Sequence, residues 1–349
     1  MKRGPGAGGW GPGIGTRAFL LLGLLALAGC GYSDFTLPRL AGGDANMTFA
    51  FDELPAPVLT RGEGFEAGDV LNPSVISSRT MLYSAYDGRT WRTLQAESED
   101  GIHWRKLGVV LAPDPHTWEG SYIAANGSAL LAYGDLFWYW YVAGPKERPR
   151  IGLARSTHVH TWTKEPKPVL EPGPYASWDE EGVADPYLIH IDSYFYLYYL
   201  GQDRAHRQRL GMARSTDGVH WQKLRANPIL ELGGASAFDE NGLGEPAVWT
   251  SHGFYWMLYT GRDTAENRRL GLARSTDGVH WQKLSTVFAG TAAWDAKVIC
   301  DPTVEVSGAE IRVWFGGGDV ASPDENLHGQ IGYGVLRPVS RPVNGTLAK

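Results

Sequence analysis

Cysteine, methionine and clusters of positive charge are scarce in this sequence of 349 residues. It has 2 cysteines, so at most one intrachain disulfide could form, and only 5 methionines. No run of Lys or Arg occurs and the net charge is -6, which argues against binding to a nucleic-acid backbone. A helical hydrophobic period is also missing, which argues against a helical bundle.

Long apolar runs are missing as well. The longest spans residues 18–28, too short to cross a bilayer as a helix but suited to the core of a signal peptide, with Lys2 and Arg3 before it. It ends in Leu-Ala-Gly-Cys at 27–30, which resembles the bacterial lipoprotein cleavage box. We therefore expect a signal peptide at 1–29, lipidation of Cys30, export to the cell envelope or surface and a flexible tether at 30–46. Cys300 would then have no partner. The alternative is an ordinary signal peptide that carries a cysteine.

Aromatic residues, glycine and proline are abundant, with 14 Trp, 16 Tyr, 45 Gly and 21 Pro. This mixture is typical of many short strands joined by tight turns. Residues 209–224 (RLGMARSTDGVHWQKL) recur almost unchanged at 269–284 (RLGLARSTDGVHWQKL). Near-identity at a fixed offset indicates a repeated structural unit. Each copy reads as a strand, an Asp-Gly turn and a strand beginning at His-Trp.

A second motif places the start of each unit. An aromatic-acid pair stands seven positions before a polar residue that precedes proline, and eight positions before Asn126, which precedes glycine. Five such units follow one another between residues 47 and 337. Four short strands per unit predict an all-β, five-bladed propeller of four-stranded antiparallel blades. We expect residues 51–59 to close the last blade as its outer strand, because an open edge promotes aggregation. Residues 338–349 are expected to form a C-terminal tail.

The units diverge where their first strands begin, at Asn72, Asn126, Asp185, Glu245 and Asp301. In a propeller these positions form a ring around one mouth of the central channel. Three of them are carboxylic acids, and glycoside hydrolysis needs a general acid and a second carboxylate. Neighbouring carboxylates also raise one another's pKa, which keeps an acid protonated near neutrality. The alternative is that each acid only caps a turn.

The repeat, the Ser-x-Asp-Gly-x-His-Trp segments and the acids before proline resemble the β-propeller glycosidases of glycoside hydrolase families 43, 32 and 68, among them arabinanases, β-xylosidases, invertases and levansucrases. The resemblance implies that Glu245 is the general acid and that Asp185 orients it and tunes its pKa. The first-blade position does not fit, because Asn72 stands where those enzymes carry a catalytic Asp. Either Asp301 or Asp69 supplies the missing carboxylate, or Asn72 orients a water or nucleophile, or the site binds sugar without cleaving it.

Other residues have weaker claims. Trp118, Trp178, Phe238, Trp294 and Phe65 could stack on sugar rings together with Asn72 and Asn126, or pack between blades. The three histidines beside the repeated turns (His103, His220 and His280) are expected to be structural. The acids Asp179, Glu180, Glu181, Asp239 and Glu240 form a solvated loop or, alternatively, bind a structural calcium ion; no other metal and no cofactor is expected.

Three functions follow from these patterns. The first is hydrolysis of an oligosaccharide or polysaccharide by a monomeric enzyme whose contact with the membrane is its lipid anchor alone. The second is a carbohydrate-binding surface lipoprotein without catalysis. The third is a structural propeller that binds other proteins. A sialidase-type repeat also joins Ser, Asp, Gly and Trp, but its spacing is one residue longer and the sequence shows no arginine triad.

Overall fold

The computed structural model describes residues 31–77, 79–132 and 136–340, and almost all regular structure in them is β. Two strands come first, β1 (Tyr32–Ser33) and β2 (Met47–Glu53). Two short 3-10 turns, Gly64–Glu66 and Ala293–Asp295, interrupt the strand pattern. In the described residues no helix has the length and apolar character needed to cross a membrane. The remaining strands are β3 (Asp69–Ser77), β4 (Thr80–Tyr86), β5 (Trp91–Ser98), β6 (Trp104–Leu111), β7 (Ile123–Leu131), β8 (Phe137–Gly144), β9 (Arg150–Ser156), β10 (Thr163–Lys164), β11 (Gly182–Ile191), β12 (Tyr194–Gln202), β13 (Gln208–Ser215), β14 (Gln222–Leu224), β15 (Gly242–Ser251), β16 (Phe254–Arg262), β17 (Arg268–Ser275), β18 (Gln282–Phe288), β19 (Val298–Ser307), β20 (Glu310–Gly318) and β21 (Gln330–Ser340).

Consecutive strands pair antiparallel in sets of four. The sets are β3-β4-β5-β6, β7-β8-β9-β10, β11-β12-β13-β14 and β15-β16-β17-β18, and the final set β19-β20-β21 is completed by β2. The first strand of each set lies against the first strands of the sets before and after it, and β19 lies against β3. Those first strands therefore surround a common axis.

The expected outer strand from the N-terminus is present in the final set. β2 pairs antiparallel with β21 from Met47↔Ser340 to Glu53↔Gly334, and Leu59 forms a further bridge to Ile331. The regular strand begins earlier than the predicted 51–59. Its partner strand β21 continues to residue 340, so residues 338–340 belong to a strand and not to the tail expected at 338–349.

The segment predicted to be a flexible tether is packed against the sheets. Tyr32–Ser33 pairs parallel with β14, and the side chains of Phe35 and Leu37 are buried. The Leu37 N–H donates to the Asp277 carbonyl at 2.9 Å. Residues 31–46 therefore form part of the described fold, because their apolar side chains find buried positions there. Cys30 and the signal segment 1–29 lie outside the described residues.

The repeated Asp-Gly turn joins neighbouring sets. Within the turn, Asp217 accepts hydrogen bonds from the Val219 N–H at 2.9 Å and the His220 N–H at 2.8 Å. From the preceding set, the Trp140 indole N–H donates to the Gly218 carbonyl at 2.9 Å. Tyr198 makes the same contact with Gly278, and Trp314 of the final set makes it with Gly101 of the first. The repeat thus holds the scaffold together, and the turn histidines bind their own Asp, as a structural role requires.

Candidate active site

The five divergent positions share one unusual backbone conformation. Asn72, Asn126, Asp185, Glu245 and Asp301 all have positive φ, between 47° and 51°. At each of them the register between the first and second strands of its set shifts, which marks a bulge. Non-glycine residues adopt this conformation rarely, and strained positions and bulges concentrate at functional sites. All five residues line one cavity.

Hydrogen bonds link these residues from one set to the next. The Asn72 side-chain amide donates to Asp301 Oδ1 at 2.6 Å, and the Asn72 N–H donates to Oδ2 of the same carboxyl at 3.3 Å. The Asp301 N–H donates to Glu245 Oε2 at 3.2 Å. The Glu245 N–H in turn donates to the Asp185 carboxyl. Each carboxyl therefore accepts the backbone N–H of the next position in the ring.

The three carboxyls form one electrostatic cluster. Burial, together with the Glu245 charge, raises the pKa of Asp185 to about 8. Burial and the same neighbour raise the pKa of Asp301 well above its ordinary value. Arg268, whose side chain is almost fully buried beside them, opposes both shifts. Near neutral pH the cluster therefore keeps at least one proton, which its interacting carboxyls share.

Cys300 lies within this cluster. Its thiol donates to Asp301 Oδ2 at 3.1 Å. Burial, followed by the charges of Asp301 and Glu245, raises the pKa of the thiol well above its ordinary value. The thiol is consequently a neutral hydrogen-bond donor and not a nucleophilic thiolate.

Asp69 does not supply the missing carboxylate. It is fully buried and accepts backbone N–H groups of Asn326 at 2.6 Å, Leu327 at 2.9 Å and Gly329 at 2.8 Å. Its carboxylate thus holds the loop between β20 and β21. The side chain that does meet Asn72 belongs to Asp301. Polar atoms of Glu245, Cys300 and Asp301 all lie within 4.8 Å of one another, so Glu245 and Asp301 stand side by side.

Asn126 has a free acceptor at the cavity. Its N–H donates to Ser84 Oγ at 2.9 Å, whereas its buried Oδ1 has no hydrogen-bond partner among the described residues. A buried acceptor without a partner costs free energy. Asn126 therefore carries this cost at a position that lines the cavity.

The cavity above the ring has a volume of about 490 Å³, and basic residues line part of its wall. Lys146, His206, Arg262 and Arg268 face it from three sets. None of them was predicted from the sequence. A signal was available in the repeats. The residue just before the Arg at the start of each third strand is Trp91, Pro149, Gln208 or Arg268 in the first four sets, and these residues differ from one another as much as the ring residues do. All four also line the cavity.

Comparison with known families shows to which family the chain belongs. The family profile described as "Glycosyl hydrolases family 32 N-terminal domain" matches residues 81–228 and 190–315, which together cover more than half of the chain. The chain belongs to this family. The family 32 domain thus carries the ring of acids described above, and the resemblance to propeller glycosidases seen in the sequence is confirmed.

Individual relatives of this family 32 chain differ in what is known of them. An uncharacterized protein of Mycobacterium tuberculosis is 28% identical over 229 residues, 61% of this chain and 75% of its own length. A 1,2-beta-oligomannan phosphorylase of Thermoanaerobacter sp. (strain X514) is 28% identical over 131 residues, 35% of this chain and 43% of its own length.

Solved structures confirm the fold at lower identity. A glycoside hydrolase superposes with a TM-score of 0.68 at 18% identity, covering 85% of this chain and 95% of that one. A second structure comes from work on the GH130 family of mannoside phosphorylases, which contains glycoside hydrolases that target beta-1,2 mannosidic linkages in Candida mannan. It superposes with a TM-score of 0.65 at 17% identity, covering 85% and 96%. The all-β fold with propeller-type glycosidase neighbours is therefore established.

The predicted stacking aromatics lie outside the cavity of the family 32 domain. Trp178 packs on Tyr199 with ring centroids 5.4 Å apart, and Phe238 packs on Tyr259 at 6.0 Å. Trp294 stacks on Phe315 at 6.0 Å. Trp118 lies against Gly152 and Phe65 lies under the Arg92 guanidinium. None of these rings lines the cavity, and their positions correspond to the alternative role, packing within the scaffold.

Three of the five acids for which calcium binding is the alternative have cationic partners. Asp179 binds Lys223 Nζ and Asp239 binds Lys283 Nζ, both at 2.5 Å. Glu180 pairs with Arg204 at 2.5 Å. Because these carboxylates are already neutralised by side chains of the protein, the arrangement differs from a calcium loop, whose oxygens converge on one point.

Proposed function

We propose that this protein cleaves glycosidic bonds in an oligosaccharide that enters the cavity of a five-bladed propeller. Glu245 acts as the general acid, and Asp185 orients it and helps the cluster to retain a proton. The observation that carries the proposal is the cluster of three carboxyls at the cavity floor, in which burial and the Glu245 charge raise the pKa of Asp185 to about 8. The four-stranded sets, the contact between β19 and β3, and membership of a glycosyl hydrolase family support it.

The cleavage step follows from the chemistry of the cluster. A proton passes from the carboxyl of Glu245 to the glycosidic oxygen, and the bond from that oxygen to the anomeric carbon breaks. An acceptor then forms a new bond to the anomeric carbon. With water as the acceptor the reaction is hydrolysis. In its ionised form, Asp301, beside Asn72, is the carboxyl that can receive the proton of that water.

Phosphorolysis is a second candidate, because of the basic residues at the cavity. Polar atoms of Glu245 and Asp301 lie within 4.8 Å of each other, nearer to the roughly 5–5.5 Å between the carboxyls of retaining hydrolases than to the roughly 6.5–9.5 Å of inverting ones, so this spacing does not by itself select the acceptor. Phosphate is already an anion and needs no base to attack. Arg262 and Arg268 supply positive charge at the same cavity. A phosphorylase among the relatives favours this acceptor too.

A substrate panel with matched variants tests the proposal. Arabino-, xylo-, fructo- and β-1,2-manno-oligosaccharides are incubated with wild type, Glu245→Gln and Glu99→Gln, with and without phosphate. We expect Glu245→Gln to lower kcat by about 10²–10⁴, as loss of a general acid does, and the exposed Glu99 control to match wild type. A sugar phosphate formed only with phosphate identifies phosphorolysis. Equal turnover by wild type and Glu245→Gln would exclude the role given to Glu245.

The alternative of sugar binding without catalysis has its own outcome in this panel. It requires binding of an oligosaccharide, weakened by Asp185→Ala, with no product in either condition. Export and lipid anchoring at Cys30 remain proposals from the sequence motif, tested by metabolic labelling with a fatty acid in wild type and Cys30→Ala.

A further inference from the structure

The floor of the cavity closes the central channel. Below the hydrogen-bonded ring formed by Asn72, Asp301, Glu245 and their neighbours, the channel continues as a space of about 40 Å³. That is room for about three water molecules, at roughly 10–15 Å³ of such space for each, and too little for a sugar ring. A sugar chain that enters the cavity therefore cannot pass through the ring and out of the other side.

On one side, the wall of the cavity is formed by an ion pair between two loops that are distant in sequence. Lys146, in the loop between β8 and β9, binds Glu325 at 2.9 Å and Asp324 at 3.1 Å in the loop between β20 and β21. The Tyr122 hydroxyl donates to Glu325 at 3.2 Å and holds the carboxylate from a third direction. This bridge spans the side of the cavity above the first set of strands.

The wall continues around the remaining sides. The Val183 N–H donates to the Pro149 carbonyl at 3.1 Å and joins the second set to the third. Arg262 of the fourth set donates to Gln208 Oε1 of the third at 3.0 Å. Arg262 also donates to the Pro323 carbonyl, at 3.1 Å, which returns the circuit to the loop that carries Glu325. In the described part of the chain, contacts thus run around the whole cavity.

From this closed floor and continuous wall we propose that the site accepts only the end of a sugar chain and releases product from that end. The inference rests on the proposed glycosidase or phosphorylase function. An enzyme that cuts inside a chain needs an open cleft in which the chain enters on one side and leaves on the other. Here a cavity of about 490 Å³ has its opening away from the ring, and that volume encloses a small ligand, not a polymer segment.

Product analysis with the substrate panel tests the inference. Long oligosaccharides are followed by chromatography from the earliest time points. We expect one short product to accumulate while the remaining chains stay close to their starting length. An early ladder of intermediate lengths would overturn the chain-end inference and leave the proposed function intact.

A binding measurement keeps the test decisive where turnover is absent. Glu245→Gln is titrated with panel oligosaccharides whose ends are free and with the same chains capped at both ends by bulky groups. We expect the capped chains to bind about tenfold more weakly or worse. Equal affinity would refute the inference. Absence of both turnover and binding across the panel would refute the proposed function, and the chain-end inference with it.

Opening the wall provides the matched variant. The double substitution Lys146→Ala and Glu325→Ala removes the bridge between the two loops, and intermediate-length products should then appear. Arg79→Ala is the control, since it deletes an exposed ion pair with Glu99 at 3.7 Å on the outer surface. An unchanged product pattern in a folded double variant would show that the bridge does not close the cavity.

Discussion

The pairing of β2 with β21, here called the seam, lacks an ion pair that the other four sets contain. In each of those sets a lysine on the outer strand binds the acid of the aromatic-acid pair: Lys106 with Glu66, Lys164 with Glu119, Lys223 with Asp179 and Lys283 with Asp239. In the final set the same position, opposite Gly334, holds Glu53, whose carboxyl lies beside that of Asp295. Two carboxyls thus meet where the other sets have an ion pair.

This exchange makes the stability of the seam depend on pH. Burial, followed by the neighbouring Asp295 carboxyl, raises the pKa of Glu53 from 4.5 to about 8. The folded protein therefore holds a proton that the unfolded chain releases, so the free energy of unfolding falls as pH rises from about 4.5 to about 8. One proton corresponds to a slope of about 1.4 kcal/mol per pH unit. Because Glu53 is only half-buried and solvent screens its charge, we expect a total loss of about 2 kcal/mol.

The assay is urea unfolding of wild type, Glu53→Gln and Glu53→Lys across this pH range. Glu53→Gln cannot ionise, so it should match wild type at about pH 5 and exceed it by about 2 kcal/mol at about pH 8. The difference between the two curves cancels the titration of Asp185 and Asp301. Glu53→Lys restores the ion pair of the other sets and should be more stable than wild type at the higher pH. A constant difference between Glu53→Gln and wild type at all pH values would contradict the carboxyl pair.

Two further changes test the ring and the scaffold separately. Asn72→Asp introduces the first-blade carboxylate of the related glycosidases, but it loses the 2.6 Å hydrogen bond to Asp301 and places two carboxyls side by side. We therefore expect turnover at neutral pH to fall. A rise in turnover would show that Asn72 limits catalysis. Asp277→Ala removes four hydrogen bonds in a turn remote from the cavity and should cost about 1–3 kcal/mol of unfolding free energy, with kcat unchanged. Its turn lowers the pKa of Asp277 to about 2, so this contribution is present above the ordinary carboxyl pKa and disappears as pH falls toward about 2, which acid titration of wild type and variant measures.

The repeats predicted the fold and the ring because both depend on short-range spacing. A bulge at the start of each first strand recurs with the period of the unit, so Asp185, Glu245 and Asp301 could be placed together from the sequence alone. The aromatic residues of the second motif recur with the same period, yet they pack in the scaffold. Recurrence therefore locates equivalent positions but does not say which side of the strand a residue faces.

The wall of the cavity could not be predicted in this way, because it is built from loops that differ between units. Lys146 and Glu325 are 179 residues apart, and Arg268 meets the Ser322 carbonyl across 54 residues, at 3.2 Å. Asp69 shows the same limit from the other side: beside Asn72 in sequence it resembles a catalytic acid, but the loop it binds comes from residues 326–329. Contacts of this length follow from tertiary packing alone. If the wall decides chain-end specificity, the chemistry of this family 32 domain can be inferred from its repeats, whereas its substrate must be inferred from the loops between them.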